Sequence, residues 1–164
     1  MTVLKWCEGK EEGGGFIAAA GAPWGESNKD GNHVDTLVWS RDLYHATTAL
    51  LDLGDGEPAA RALHHLARVQ RPDGSWPQNW TPSGKPHWNG TELDEVAYPI
   101  LLARRLQSAQ GIDWDPYPQL VRRAALYLIR NGPLTPLDRW EDAGGLSPST
   151  LAVVVAALVG ASEF

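Results

Sequence analysis

Apolar residues recur at helical spacing through most of the chain. Leu43, Ala46, Leu50 and Leu53 mark a helix over Arg41 to Leu53, stopped by Gly54-Asp55-Gly56. Pro58 opens a second helix, which carries Leu63, Leu66 and Ala67 and reaches Gln70. Residues 71–90 lose the periodicity and are rich in Pro, Gly, Ser and Trp, which predicts a long loop. Helix returns at Thr91, where Thr91-Glu92-Leu93-Asp94 has the shape of a capping box. It continues through Val96, Ile100, Leu101 and Leu106, with Pro99 inside it as a source of a kink. A further helix covers Gln119 to Arg130 and ends at Asn131-Gly132-Pro133. After a second long loop, Ser147-Pro148 supplies an N-cap and a first-turn proline, and the last helix runs to Phe164. No strand-like alternation competes with these elements.

The order is helix, short connection, helix, long loop. Repeated helical hairpins with their long loops on one rim predict an all-α fold, a partial toroid of about six helices in an open arc, with residues 1–164 in one domain. Loops longer than a connection needs are usually functional. The last helix holds Val153, Val154, Val155, Ala156, Leu158 and Val159, apolar nearly all round, and expects neighbours on most sides.

Composition narrows the function. A net charge of −6 and a pI near 5.3 disfavour a nucleic-acid or anionic-membrane partner. Cys7 is the single cysteine, so no internal disulfide forms, which leans toward a reducing, cytoplasmic setting. Lys5, Glu8 and Lys10 follow Met1 where a secretory leader would be apolar. Eight Trp against two Phe is an unusual ratio for core packing. Flat indoles stack on sugar C–H faces in carbohydrate clefts, although Trp-rich structural repeats give the same count.

Three loops concentrate the polar chemistry. The first contains Pro23-Trp24-Gly25-Glu26 and leads into Trp39-Ser40-Arg41-Asp42; Arg41 and Asp42 read either as a local ion pair and cap or as a clamp on vicinal hydroxyls. The second runs from Gln70 through Trp76, Trp80 and Trp88 to Asp94 and Glu95, two acids that a helix first turn favours in any case. The third, Leu137 to Ser147, sets Glu141 directly after Trp140 in a mobile Gly-rich turn. Packing against an indole raises a carboxyl pKa toward the range of a general acid.

Five stretches in this order resemble the catalytic domain of bacterial glucoamylases and glucodextranases, the family-15 glycoside hydrolases. They are P-W-G-E at 23–26, V-W-S-R-D-L-Y at 38–44, Q-R-P-D-G-S-W-P-Q-N at 70–79, W-N-G-T-E-L-D-E-V-A-Y-P-I-L-L at 88–102 and R-W-E-D-A-G-G-L-S-P-S-T-L-A at 139–152. The resemblance implies the amino-terminal half of an (α/α)6 barrel whose active site lies in the loops at one end, without cofactor or metal. It implies an inverting, exo-acting hydrolase that releases glucose from the non-reducing ends of α-glucans. Arg41 and Asp42 would grip the terminal glucose. Trp88 and Trp140 would line the site, Glu141 would be the general acid and Asp142 a second, substrate-binding acid. Ser40 stands where the family commonly has Pro or Thr, and Glu92 where Gln is common.

Inversion needs a second carboxylate roughly 6.5–9.5 Å from the first, and in the family this base comes from a later helix than any in the chain. The chain alone is therefore expected to be inactive and to self-associate, a catalytically incomplete structural or binding piece. Trehalase or glucodextranase specificity is the enzymatic alternative. Gln70 to Trp76 also fits the Q-x-x-x-G-x-W repeat of triterpene cyclases, but a single copy stands here without an acidic D-x-D-D motif.

Overall fold

The computed structural model describes residues 2–11, 13–19, 36–109, 117–140 and 143–164. Six helices are present among them: α1 (Thr2–Trp6), α2 (Ser40–Asp52), α3 (Glu57–Val69), α4 (Leu93–Ser108), α5 (Tyr117–Asn131) and α6 (Pro148–Ala161). The short helix α1 has no apolar periodicity to announce it. The other five fall where the sequence puts them, with ends shifted by up to three residues. Two small antiparallel hairpins add strands that the sequence does not signal: β1 (Glu8–Gly9) with β2 (Gly15–Phe16), and β3 (Asn79–Trp80) with β4 (Pro86–Trp88). Two- and three-residue strands are too short to show alternation.

Helix α4 is the centre of the arc. It packs against α2 on one flank and α6 on the other; α3 bridges α2 and α4, and α5 bridges α4 and α6. This is a partial helical toroid, with α2, α4 and α6 as successive members of one layer and α3 and α5 as members of the second. The central place of α4 explains why every residue from Leu93 to Ile100 is buried, whatever its polarity. By contrast α3 buries one face, Pro58, Ala59, Ala62, Leu63, His65 and Leu66, and leaves the other to solvent. Helix α6 buries Thr150, Val154, Ala157 and Gly160 and leaves Val155 and Val159 exposed, so its all-round apolar character is only partly used here.

Thr91 is not the cap of α4. Glu92 takes the N-cap position with extended backbone and no capping side chain, and Leu93 N–H donates instead to Thr135 Oγ1, at 3.2 Å, on the loop before α6. Ser147 does hold the N-cap position of α6, but its hydroxyl meets Ser149 Oγ at 3.1 Å and makes no capping bond.

The stretch Gln70 to Trp76 is a brace between helices. Gln70 Nε2 donates to Leu120 O on α5 (3.0 Å) and Trp76 Nε1 donates to Leu66 O on α3 (2.9 Å). Gly74, at φ +98°, passes so close to α5 that a Cβ would lie 2.2 Å from Arg123 O. The motif shared with other helical toroids thus has a packing reason.

His65 ties three segments together. It is fully buried, stacks on Trp80 and accepts the Trp80 indole N–H at Nε2 (2.8 Å). Nδ1 therefore carries the proton, which points to the Gly13 backbone, so the 3.2 Å approach of Arg68 Nη2 is a contact between two donors. Burial, then the Arg68 charge, pushes the imidazole pKa down to about 4. The fold holds the neutral ring, so its contribution is complete above the ordinary value of 6.5 and is lost as pH falls from there toward 4. We expect a loss of about 3 kcal/mol over that window, measured as the difference in urea unfolding between wild type and His65→Phe, whose stability lacks this component. Parallel pH profiles for the two proteins would refute it.

Candidate active site

Three of the connections run into the N-termini of α2, α4 and α6, the three helices of the first layer. Backbone pairing holds two of the loops in place. Val38 exchanges two hydrogen bonds with Trp80 (2.7 and 3.1 Å), joining the entry to α2 to strand β3. Trp88 N–H donates to Asn79 Oδ1 at 3.0 Å. As a result Trp88, half-buried on β4, meets Trp39 edge to face with centroids 6.0 Å apart. The third loop is closed by reciprocal bonds between Thr135 and Gly145 (3.0 and 2.9 Å), and Asp138 Oδ1 accepts Trp140 N–H at 2.9 Å. Far from being a free Gly-rich turn, it is pinned at its base; a Cβ on Gly144 would lie 2.5 Å from Pro136 O.

Arg41 stands where these loops meet. Its Nη1 donates to Glu92 Oε2 (3.1 Å) and Asp94 Oδ2 (2.9 Å), and its backbone N–H donates to Glu95 Oε2 (3.1 Å). Its guanidinium also lies over the Trp39 ring, 5.8 Å from the centroid. So Arg41 is neither a local partner of Asp42 nor a free clamp: three acids from the start of α4 hold it. Burial opposes its charge, but Glu95, Asp94 and Glu92 together outweigh burial and hold its pKa above the ordinary arginine value.

The acids are as buried as the arginine they hold. Glu92, Asp94 and Glu95 are all at most 3% exposed. Nη1 has two N–H groups, and Glu92 and Asp94 take both. Glu95 Oε1 lies 3.1 Å from Nη1 without hydrogen-bond geometry, and it finds no other donor among the described residues. Burial, against the pull of Arg41 and with the push of Asp94, Glu92 and Asp42, raises the Glu95 pKa well above the carboxylate range. Burial thus favours the protonated form of Glu95.

Asp42 is half-buried beside this cluster. Burial raises its pKa, and Arg41, the Asp42 backbone N–H, His45 and Arg139 pull it back. Tyr98, on the next turn of α4, feels Asp94, Arg41 and Arg139. Arg139 in turn lies over the exposed ring of Trp140, 5.0 Å from the centroid. Of the residues singled out in the sequence, the structure therefore gathers Arg41, Asp42 and Trp88 around the N-termini of α2 and α4, and Arg139 brings the start of the Trp140 loop within electrostatic reach. Glu141, Asp142 and the P-W-G-E stretch at 23–26 lie outside the described residues. Sequence reading missed Trp39 as the indole between Arg41 and Trp88, and took Asp94 and Glu95 as ordinary first-turn acids.

Relatives of the chain by sequence and by structure are glycoside hydrolases. No family model matches the chain. A glucoamylase of Clostridium sp. (strain G0005) is 44% identical over 163 residues, which cover 99% of this chain and 22% of that protein. An uncharacterized glycosyl hydrolase of Methanocaldococcus jannaschii is 30% identical over 96% of the chain and 24% of its own length. The crystal structure of a bacterial glucoamylase complexed with acarbose superposes with a TM-score of 0.86 at 44% identity, over 98% of this chain and 23% of that one. A second solved glycosidase shares the fold, with a TM-score of 0.75 at 16% identity over 97% of this chain and 46% of that one. The chain is thus similar, along nearly its whole length, to one segment of a glucoamylase-type domain, and spans less than a quarter of the length of the curated relatives it matches.

The Arg41 cluster yields a stability prediction. Arg41→Leu leaves Glu92, Asp94 and Glu95 buried without their cation, and we expect a loss of about 3–5 kcal/mol in urea unfolding. A loss below about 1 kcal/mol, the size of an exposed ion pair, would mean that the cluster is not buried as described.

Proposed function

We propose that the chain forms the glucose-gripping side of a glucoamylase-type active site, in an inverting, exo-acting α-glucoside hydrolase. The observation that carries the reading is the meeting of Arg41, Asp42 and Trp88 at one rim, although 46 positions separate Asp42 from Trp88. Nη2 and Nε of Arg41 have no hydrogen bond among the described residues, and the Asp42 carboxylate, next in sequence, feels the Arg41 charge; donors and an acceptor of this kind suit the vicinal hydroxyls of a sugar. Trp88 offers an apolar wall that stacks against a pyranose ring.

In this reading Glu141 protonates the leaving glycosidic oxygen. Asp142 and Trp140 contact substrate, and a second carboxylate, not assigned to any residue here, activates water on the opposite face of the sugar. No cofactor takes part. Residues 1–164 make up part of one catalytic domain, and an α-glucan or oligosaccharide is its substrate. Exposed Leu126, Ile129, Val155 and Val159 on α5 and α6 favour self-association of the isolated chain.

Glu141→Gln in the complete domain tests the assignment of the acid. Gln keeps the shape and a hydrogen bond but delivers no proton, so kcat on maltose should fall by about 10²–10⁴-fold with little change in KM. A loss smaller than about tenfold would remove Glu141 from the role.

A further inference from the structure

The N-terminus of α2 has an acceptor borrowed from another helix. Trp39 occupies its N-cap and supplies no capping side chain, and Ser40 Oγ is buried without a partner among the described residues. The first turn of a helix has N–H groups without acceptors in the helix itself. Glu95 of α4 meets that need from 54 positions away, taking Arg41 N–H at Oε2 while Oε1 rests 3.1 Å from Arg41 Nη1. One buried side chain therefore touches both the backbone and the guanidinium of the same arginine.

We propose that Glu95 is the positioning residue of the sugar grip: it fixes the backbone of Arg41 at the start of α2, and thereby the direction of the Arg41 guanidinium and of the Asp42 carboxylate next to it. The proposal rests on the reading of Arg41 and Asp42 as sugar-binding groups. Glu92 and Asp94 consume the two hydrogens of Nη1, so the remaining donors of Arg41 stay available to a ligand only while the guanidinium keeps this orientation. Burial and the charge count both favour an uncharged Glu95: Arg41 already faces Glu92 and Asp94, and one cation does not balance four carboxylates, three of them buried. The charged or titratable groups that face Glu95 are Arg41 and Asp42 from α2 and Glu92, Asp94 and Tyr98 from the start of α4. Arg139, from the loop before α6, faces Asp42 and Tyr98.

Gln keeps a side-chain oxygen to accept Arg41 N–H and Ala removes it, so Gln replaces Glu95 and Ala does not. The test uses the 164-residue chain with Glu95→Gln, Glu95→Ala and Arg41→Lys. Two readouts are taken: the Arg41 Nε–H resonance by NMR, and maltose affinity by chemical-shift titration across pH. The Arg41 resonance, assigned by its loss in Arg41→Lys, should be unchanged in Glu95→Gln and shifted or exchange-broadened in Glu95→Ala. Maltose affinity should fall about tenfold in Glu95→Ala, the worth of one hydrogen bond, and stay near wild type in Glu95→Gln. Wild type should weaken as pH rises through the raised pKa of Glu95, and Glu95→Gln should not. If Glu95→Ala fails to fold, Glu95→Gln decides alone: an unchanged Arg41 signal supports the proposal, and a lost one overturns it. An unmoved Arg41 signal in folded Glu95→Ala also overturns it. Maltose affinity that Arg41→Lys does not alter would instead sink the sugar-grip reading, while the resonance still judges the positioning role of Glu95.

Discussion

The ion cluster that joins Arg41 to Glu92, Asp94 and Glu95 is the constraint on which the rest of the arrangement depends. It links the N-termini of α2 and α4, two neighbours in the first layer, through contacts between residues 51 to 54 positions apart. A buried cluster of this kind adds little net stability, because desolvating four ionisable groups offsets most of what their attraction returns. Its value is geometric. Only one approach of α2 to α4 places Nη1 between two carboxylates and an N–H against a third, so the cluster fixes where the side chains after Trp39 point. Acids at a helix start are favoured by the helix dipole, and here that preference is turned toward a neighbouring helix.

The loops are set by the same logic. Each enters the N-terminus of a first-layer helix, and each is tied down: Val38 to Trp80 and Thr135 to Gly145 by backbone pairs, and Leu93 N–H to the Thr135 hydroxyl. Indoles then do two different jobs. Trp76 and Trp80 are buried and spend their N–H groups on Leu66 and His65, which makes them parts of the frame. Trp88 and Trp140 retain exposed surface. The high Trp count is thus structural at Trp76 and Trp80, and the sugar-binding explanation applies only to the indoles left exposed, as proposed above.

Five helices were legible because their apolar positions obey a helical period and their ends carry Gly, Pro or Ser. The all-α arc followed from the alternation of short and long connections. The two hairpins were not legible, since two residues cannot display a period of two. The cap of α4 was misread because Thr91 has the right side chain in the right place, yet a tertiary acceptor, Thr135, outcompetes it. Among the site residues, Arg41, Asp42 and Trp88 were recognisable from their motifs. The acid clamp was not, because the pairing of a residue with partners some fifty positions away leaves no local pattern. A faint signal existed: three acids within four positions, at the start of the most apolar-flanked helix, call for a cation, and the nearest helix start offered Arg41.

The central claim is that this rim grips a sugar through the free side of Arg41. A crystal structure of the chain soaked with maltose addresses it most directly. The account predicts a glucose unit whose hydroxyls meet Arg41 Nη2 or Nε and the Asp42 carboxylate, with Trp88 against its ring and the Nη1 contacts to Glu92 and Asp94 unchanged. Sugar density elsewhere on the surface, or a guanidinium that leaves Glu92 and Asp94 to reach the ligand, would contradict it.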